Sequence, residues 1–176
     1  MTQEVKIMVG IPGCGKSTWA NKEVQFLEEE KATTVIISRD EVRKSFVGEA
    51  NPNNSNSYFG REDEVFEEFI RQINEAMEIG IDYVFVDATH ISRASRAKLL
   101  SRLRPDPNTV LTFEVMDCGL DTCLARNATR TGFARVPDSA IKNMKKGYRP
   151  PTAEEFSNYL YGFKRVAINH HNTEKE

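Results

Sequence analysis

A chain of 176 residues, 39% hydrophobic and 28% charged, has the make-up of one globular domain large enough for a proper core. Its net charge of −2 excludes a global basic field, so any polyanionic partner must be held by a local cluster of arginines. No apolar run approaches the length of a membrane span, and the N-terminus carries no signal-peptide pattern. Cys14, Cys118 and Cys123 have no zinc spacing and leave one thiol unpaired, which suits a reducing cytoplasm.

In chain order, Val5 to Val9 is a short apolar run with the length of a buried strand, and Trp19 to Glu30 has helix-forming composition. Between them lies GIPGCGKST, Gly10 to Thr18, which fits G-x-x-x-x-G-K-[ST] within a strand–loop–helix setting. Glycines let backbone N–H groups turn around a phosphate, and the helix N-terminus adds its positive end. The pattern therefore predicts a nucleoside triphosphate site built from Gly10, Gly13, Cys14, Gly15, Lys16, Ser17 and Thr18. Lys16 is expected on the β- and γ-phosphates and the Ser17 hydroxyl on Mg²⁺.

Thr33 to Ser38 reads as a second strand, running into a short helix at Arg39 to Arg43. Asp40 falls at the carboxyl edge of that strand, where ligands gather in parallel α/β sheets, and a carboxylate there can accept a proton from an attacking hydroxyl. Arg43, three residues on, shares its face and suits an anionic group on the acceptor; a solvated helix-surface ion pair is the bland alternative. Glu49 to Ser57 is Asn-rich and reads as a loop. Residues 62–79 carry apolar side chains at helical spacing, stopped by Gly80.

Tyr83 to Val86 is a third strand that ends in Asp87, a position suited to the metal and its waters. Thr89 and Arg93 follow it and are candidates for the acceptor side; His90 is read as a turn residue. A helix at Ala94 to Leu103, a strand at Thr109 to Met116 and a helix at Leu120 to Thr129 come next. Arg126 and Arg130, four apart, are read as one helix face that neutralises transferring phosphates, on a small lid bracketed by Gly132 and Pro137. A helix at Ser139 to Lys146 and a last strand at Phe163 to Ile168 complete the pattern. Residues 1–168 are expected to form one domain and 169–176 a flexible tail, with His170 and His171 in it and without a site role. The expected fold is α/β: a parallel sheet of about five strands covered by helices on both faces.

Taken together, GIPGCGKST, SRDEVR (Ser38 to Arg43), VDATH (Val86 to His90), RNATR (Arg126 to Arg130) and RPPTAEEF (Arg149 to Phe156) resemble the P-loop kinase domain of 5′-hydroxyl polynucleotide kinases, over roughly residues 4–167. The resemblance implies ATP and Mg²⁺ as cofactors and nucleic acid 5′-OH ends, DNA or RNA, as partners. It also implies Asp40 as general base, Arg43 on the acceptor phosphate, Asp87 ordering the acceptor, and Arg126 and Arg130 on the donor phosphates. His90 stands where that family often has Asn. Two other functions fit the same motifs: a kinase of a nucleoside, sugar or antibiotic, and an ATP-binding switch that transfers nothing.

Overall fold

A computed structural model describes residues 2–47, 60–157 and 159–175. Five strands, β1 (Glu4–Val9), β2 (Thr34–Ser38), β3 (Tyr83–Asp87), β4 (Val110–Asp117) and β5 (Arg165–Asn172), form one sheet in the order β2-β3-β1-β4-β5. Every pairing is parallel. Helices α1 (Lys16–Glu29), α2 (Arg39–Val47), α3 (Glu62–Glu78), α4 (Arg93–Leu100), α5 (Leu120–Ala128) and α6 (Asp138–Gly147) connect the strands. The expected α/β architecture of a parallel five-stranded sheet with helices on both faces is the one observed. The Asn-rich stretch at 49–57 lies outside the described residues.

The period-2 alternation of strand side chains divides the core in two. Val5, Ile7 and Val9, with Val84, Val86, Leu111, Phe113 and Val115, face α3 and α4. Met8, Phe85 and Met116 face α1, α5 and α6, meeting Ala20, Leu27, Cys123 and Ile141. Helix α3 shows why its sequence forms a helix. Val65, Phe66, Phe69, Ile70, Ile73, Ala76 and Met77 are all buried, and Glu62, Asp63 and Glu64 occupy its first turn against the positive helix end. Helix α4 starts one residue earlier than its composition suggests, because Ser92 and Ser95 cap each other reciprocally.

The C-terminal segment departs from expectation. Rather than a tail from 169 onward, β5 continues to Asn172 and pairs with β4 as far as Asp117. Its polar residues find partners on β4: His171 Nε2 lies 2.6 Å from Glu114 Oε2 and His170 Nδ1 lies 2.9 Å from Asp117 Oδ2. Thr173 is buried and Glu174 accepts a hydrogen bond from the Gly119 N–H at 2.6 Å. An edge strand tolerates polar composition when its neighbour supplies the charges.

Candidate active site

Strand β1 stops at Val9 and α1 begins at Lys16, so Gly10 to Gly15 turn over the carboxyl edge of the central strand. Two glycines are forced. A Cβ on Gly13 would sit 2.3 Å from the Cys123 carbonyl oxygen, and Gly15 caps α1 in the left-handed region at φ 97°. The loop is anchored from both flanks. Gly10 N–H donates to Thr89 O at 3.0 Å, and the Thr173 hydroxyl donates to Cys14 O at 2.6 Å. Cys14 is buried beneath the loop as filling, while Ser17 and Thr18 are exposed on the first turn of α1.

Lys16 Nζ donates to the loop carbonyls of Gly10 (2.9 Å) and Ile11 (3.2 Å), placing its charge inside the loop beside the positive end of a 14-residue helix. The Ser17 hydroxyl donates to Asp87 Oδ2 at 3.1 Å. Burial raises the Asp87 carboxyl above the ordinary carboxylate range and Asp40 adds to the rise. Lys16, Ser17 and Arg130 oppose it. Lys16, Ser17, Asp40 and Arg130 thus all bear on the charge of Asp87, and Ser17 touches it directly. A glycine loop with a cation at its centre fits a triphosphate, and a hydroxyl against a desolvated carboxylate fits a hard divalent cation.

Asp40 lies in the first turn of α2, at the end of β2 and next to β3, with 76% of its side chain exposed. Arg43 Nη1 donates to Asp40 Oδ1. Arg43 is itself nearly buried, 6% exposed, and its Nη2 donates to Glu62 Oε2 at 3.0 Å, an oxygen shared with Arg39 Nη2 at 3.0 Å. Burial works most strongly against both charges of the Arg43–Glu62 pair, yet their mutual hydrogen bond and attraction, with those of Asp40 and Arg39, together outweigh it. The Glu62 carboxyl is held below its usual range, and the Arg43 guanidinium is raised. Arg43 is therefore not an open grip at a helix surface. It is a clamped fork that orients Asp40, and the clamp, Glu62, looks in the sequence like an ordinary first-turn acid.

The two arginines expected on one helix face separate. Arg126 lies in α5 and donates through Nη2 to Thr173 O at 2.7 Å, with Nη1 3.6 Å from Cys118 Sγ. Arg130 falls beyond the helix end at Ala128, exposed, and is the one that acts on Asp87. Thr89 contributes its backbone carbonyl to the loop. Arg93 opens α4 on its exposed side and joins none of these groups among the described residues. His90 is buried with a positive φ of 45°, and its Nδ1 donates to Met8 O at 2.8 Å, which fixes the tautomer because a carbonyl only accepts. Burial lowers its pKa to about 4. Thr173, Glu62 and Arg96 carried no local pattern that marked them, and Glu155 stood in RPPTAEEF without an assigned role. A groove of about 890 Å³ along Gln3, Asn74, Arg104 and Lys164 lies at the amino ends of the strands, the edge opposite the loop. Size alone does not find this site.

A strand, a glycine loop and a helix at the carboxyl edge of a parallel sheet, with a strand-end carboxylate against the loop serine, define a P-loop protein of the kinase class. The model of a family described as an AAA domain matches residues 5–151, and the chain belongs to that family. It is similar to the L-seryl-tRNA(Sec) kinase of Methanococcus maripaludis, 30% identical over 151 residues covering 82% of this chain; the chain spans 52% of that relative's length. Among solved structures it resembles a chain of the Pnkp1/Rnl/Hen1 RNA repair complex, with a TM-score of 0.60 at 19% identity, over 83% of this chain and 44% of the other. A sugar kinase from Janibacter sp. HTCC2649 matches with a TM-score of 0.55 at 16% identity, over 97% and 86%. At such identities the structural likenesses carry the fold.

Proposed function

We propose that this chain is an ATP-dependent kinase that transfers the γ-phosphoryl group to the 5′-hydroxyl end of a nucleic acid. The observation that carries the reading is the meeting of Ser17 with Asp87 at 3.1 Å, one strand away from an Asp40 oriented by a buried arginine. In this reading the loop N–H groups and Lys16 hold the β- and γ-phosphates, and Arg130 and Arg126 lie on the donor side. Ser17 and Asp87 hold Mg²⁺, which when bound offsets charge on the phosphate oxygens. The acceptor hydroxyl oxygen bonds to the γ-phosphorus as the bond from that phosphorus to the β–γ bridging oxygen breaks. ADP leaves, and the hydroxyl proton passes to the Asp40 carboxylate. Arg43, clamped by Glu62, keeps Asp40 in register for that proton.

The experiment is transfer of label from [γ-³²P]ATP to a 5′-OH DNA, a 5′-OH RNA, a seryl-tRNA and a panel of sugars and nucleosides. Label at a nucleic acid 5′ end supports the reading; label only in a small molecule overturns it. The likeness to a kinase named for seryl-tRNA favours one second reading, in which the hydroxyl is carried on a tRNA rather than at a strand end. In that case the seryl-tRNA alone takes the label.

A further inference from the structure

Between Arg126 and Arg149 the chain has seven basic residues and a single acid, Asp138. This stretch therefore carries +6 in a chain of net charge −2, and the rest carries −8. The fold turns that segment into a strip across the site. Helix α6 begins where Asn127 Nδ2 donates to Asp138 Oδ1 at 3.4 Å, beside the end of α5. Just past its other end, Arg149 N–H donates to Ile91 O at 2.8 Å, in the connection after β3. Ten residues of helix span about 15 Å, so α6 bridges from the Arg126 side of the carboxyl edge to the Asp87 side.

Its apolar side is accounted for, because Ile141 is fully buried in the cluster with Cys14 and Cys123. Lys142 and Lys146 remain exposed one helical turn apart, and Arg149, two residues past the end of the helix, is exposed as well. Lys142 and Lys146 have no carboxylate partner among the described residues, and the Arg149 guanidinium donates only to the main-chain carbonyls of Lys146 and Tyr148. Their charges are unneutralised by carboxylates among the described residues; Lys142 and Lys146 stand about 6 Å apart along the helix axis, with Arg149 just beyond its end. A small hydroxyl acceptor has no phosphates to match these charges. A strand running away from its 5′ end has one at every step.

We infer that α6 is the track for the sugar–phosphate backbone of the acceptor strand, with Lys142, Lys146 and Arg149 each facing a phosphate downstream of the reacting end. This rests on the reading of the acceptor as a nucleic acid end. The track adds affinity without sequence preference, since phosphates carry no base information.

The test compares a 5′-OH 20-mer with a nucleoside 3′-monophosphate at saturating ATP and Mg²⁺, using the wild type and Lys142→Gln/Lys146→Gln. Binding of a 3′-labelled 20-mer, read by fluorescence anisotropy, runs alongside. Three phosphate contacts on a single strand predict that the wild-type acceptor KM for the 20-mer rises about 20-fold between 50 and 200 mM salt. The double variant weakens 20-mer binding and raises that KM about tenfold, flattens the salt dependence, and leaves kcat and the short acceptor unchanged. Equal KM values for the long and short acceptors in wild type, or a variant that matches wild type on the 20-mer, overturn the track and leave the kinase reading standing. Labelling of sugars or nucleosides with neither nucleic acceptor overturns that reading, and the track falls with it.

Discussion

Lys16 sits with its ammonium on the carbonyls of its own loop, so on the proposed reading its loss removes a phosphate ligand without opening the core. Lys16→Ala is expected to abolish transfer while thermal unfolding stays within about 1 kcal/mol of wild type, as for surface changes away from the core. Asp40 is exposed and held by Arg43, and on the proposed reading it takes the acceptor proton rather than binding the nucleotide. Asp40→Asn should lower kcat by roughly a hundredfold or more with ATP affinity nearly unchanged, read by turnover and by calorimetric ATP titration. His90 is a stability residue. Its folded pKa of about 4 lies below the ordinary 6.5, so the unfolded chain binds the proton first as pH falls. Its contribution is complete above pH 6.5 and declines towards pH 4, by about 3 kcal/mol in all. Asparagine tolerates the left-handed backbone there and still donates to Met8 O. His90→Asn should therefore flatten the fall of urea-derived stability between pH 6.5 and 4.

Among the elements, β5 is the one that its composition conceals. It carries Asn169 and His171 to the buried Glu114, whose other partner is Lys6 Nζ at 2.8 Å, and Trp19 closes over His171 with ring centroids 4.5 Å apart. Beyond the strand, Thr173 touches both Cys14 O and the Arg126 guanidinium. Removing residues 169–176 deprives Glu114 of two partners, Asn169 and His171, the loop of an anchor and Arg126 of the Thr173 carbonyl. The expected loss is about 3 kcal/mol or more, a fall in Tm of roughly 6–12 °C, together with weaker ATP binding. A truncated chain that melts and binds ATP like the full one would mean that the end of β5 holds nothing.

Across the whole molecule, one buried guanidinium ties the two halves of the carboxyl edge together. Arg96, 1% exposed, donates from one edge of its guanidinium, Nε and Nη2, to the two oxygens of Glu155 at 2.9 and 2.6 Å. Its Nη1 donates to His90 O and Arg149 O, each at 2.9 Å, joining the connection after β3 to the end of α6. Glu155→Gln leaves that charge buried without its counter-ion, a change that costs about 3–5 kcal/mol. Amide hydrogen exchange should quicken at residues 88–93 and 146–150 together. Quickening at Glu155 alone would separate the two segments. The distribution of charge belongs to this scale as well, because a net −2 hides a segment of +6 that only the fold lays across the site.

The loop at Gly10 to Ser17, the strand-end Asp87, the turn to Asp40 and the alternation of strand and helix were all legible in the sequence. Each rests on neighbours along the chain: glycine spacing, a period of 2 or 3.6, an acid directly after a buried run. The clamp of Glu62 on Arg43, 19 residues apart, the reach of Arg96 to Glu155 and of Thr173 to Cys14, 59 and 159 residues apart, leave no such periodic mark. Polar residues after Ile168 read as a tail because composition registers solvent preference, whereas the buried Glu114 that receives them is known only once β4 and β5 are paired. The sequence by itself determined the phosphate loop and the sheet that carries it, because those are local patterns of backbone freedom and apolar period. Only the tertiary structure decided which charges face one another, because a buried charge takes its partner from whichever strand or helix the packing brings beside it.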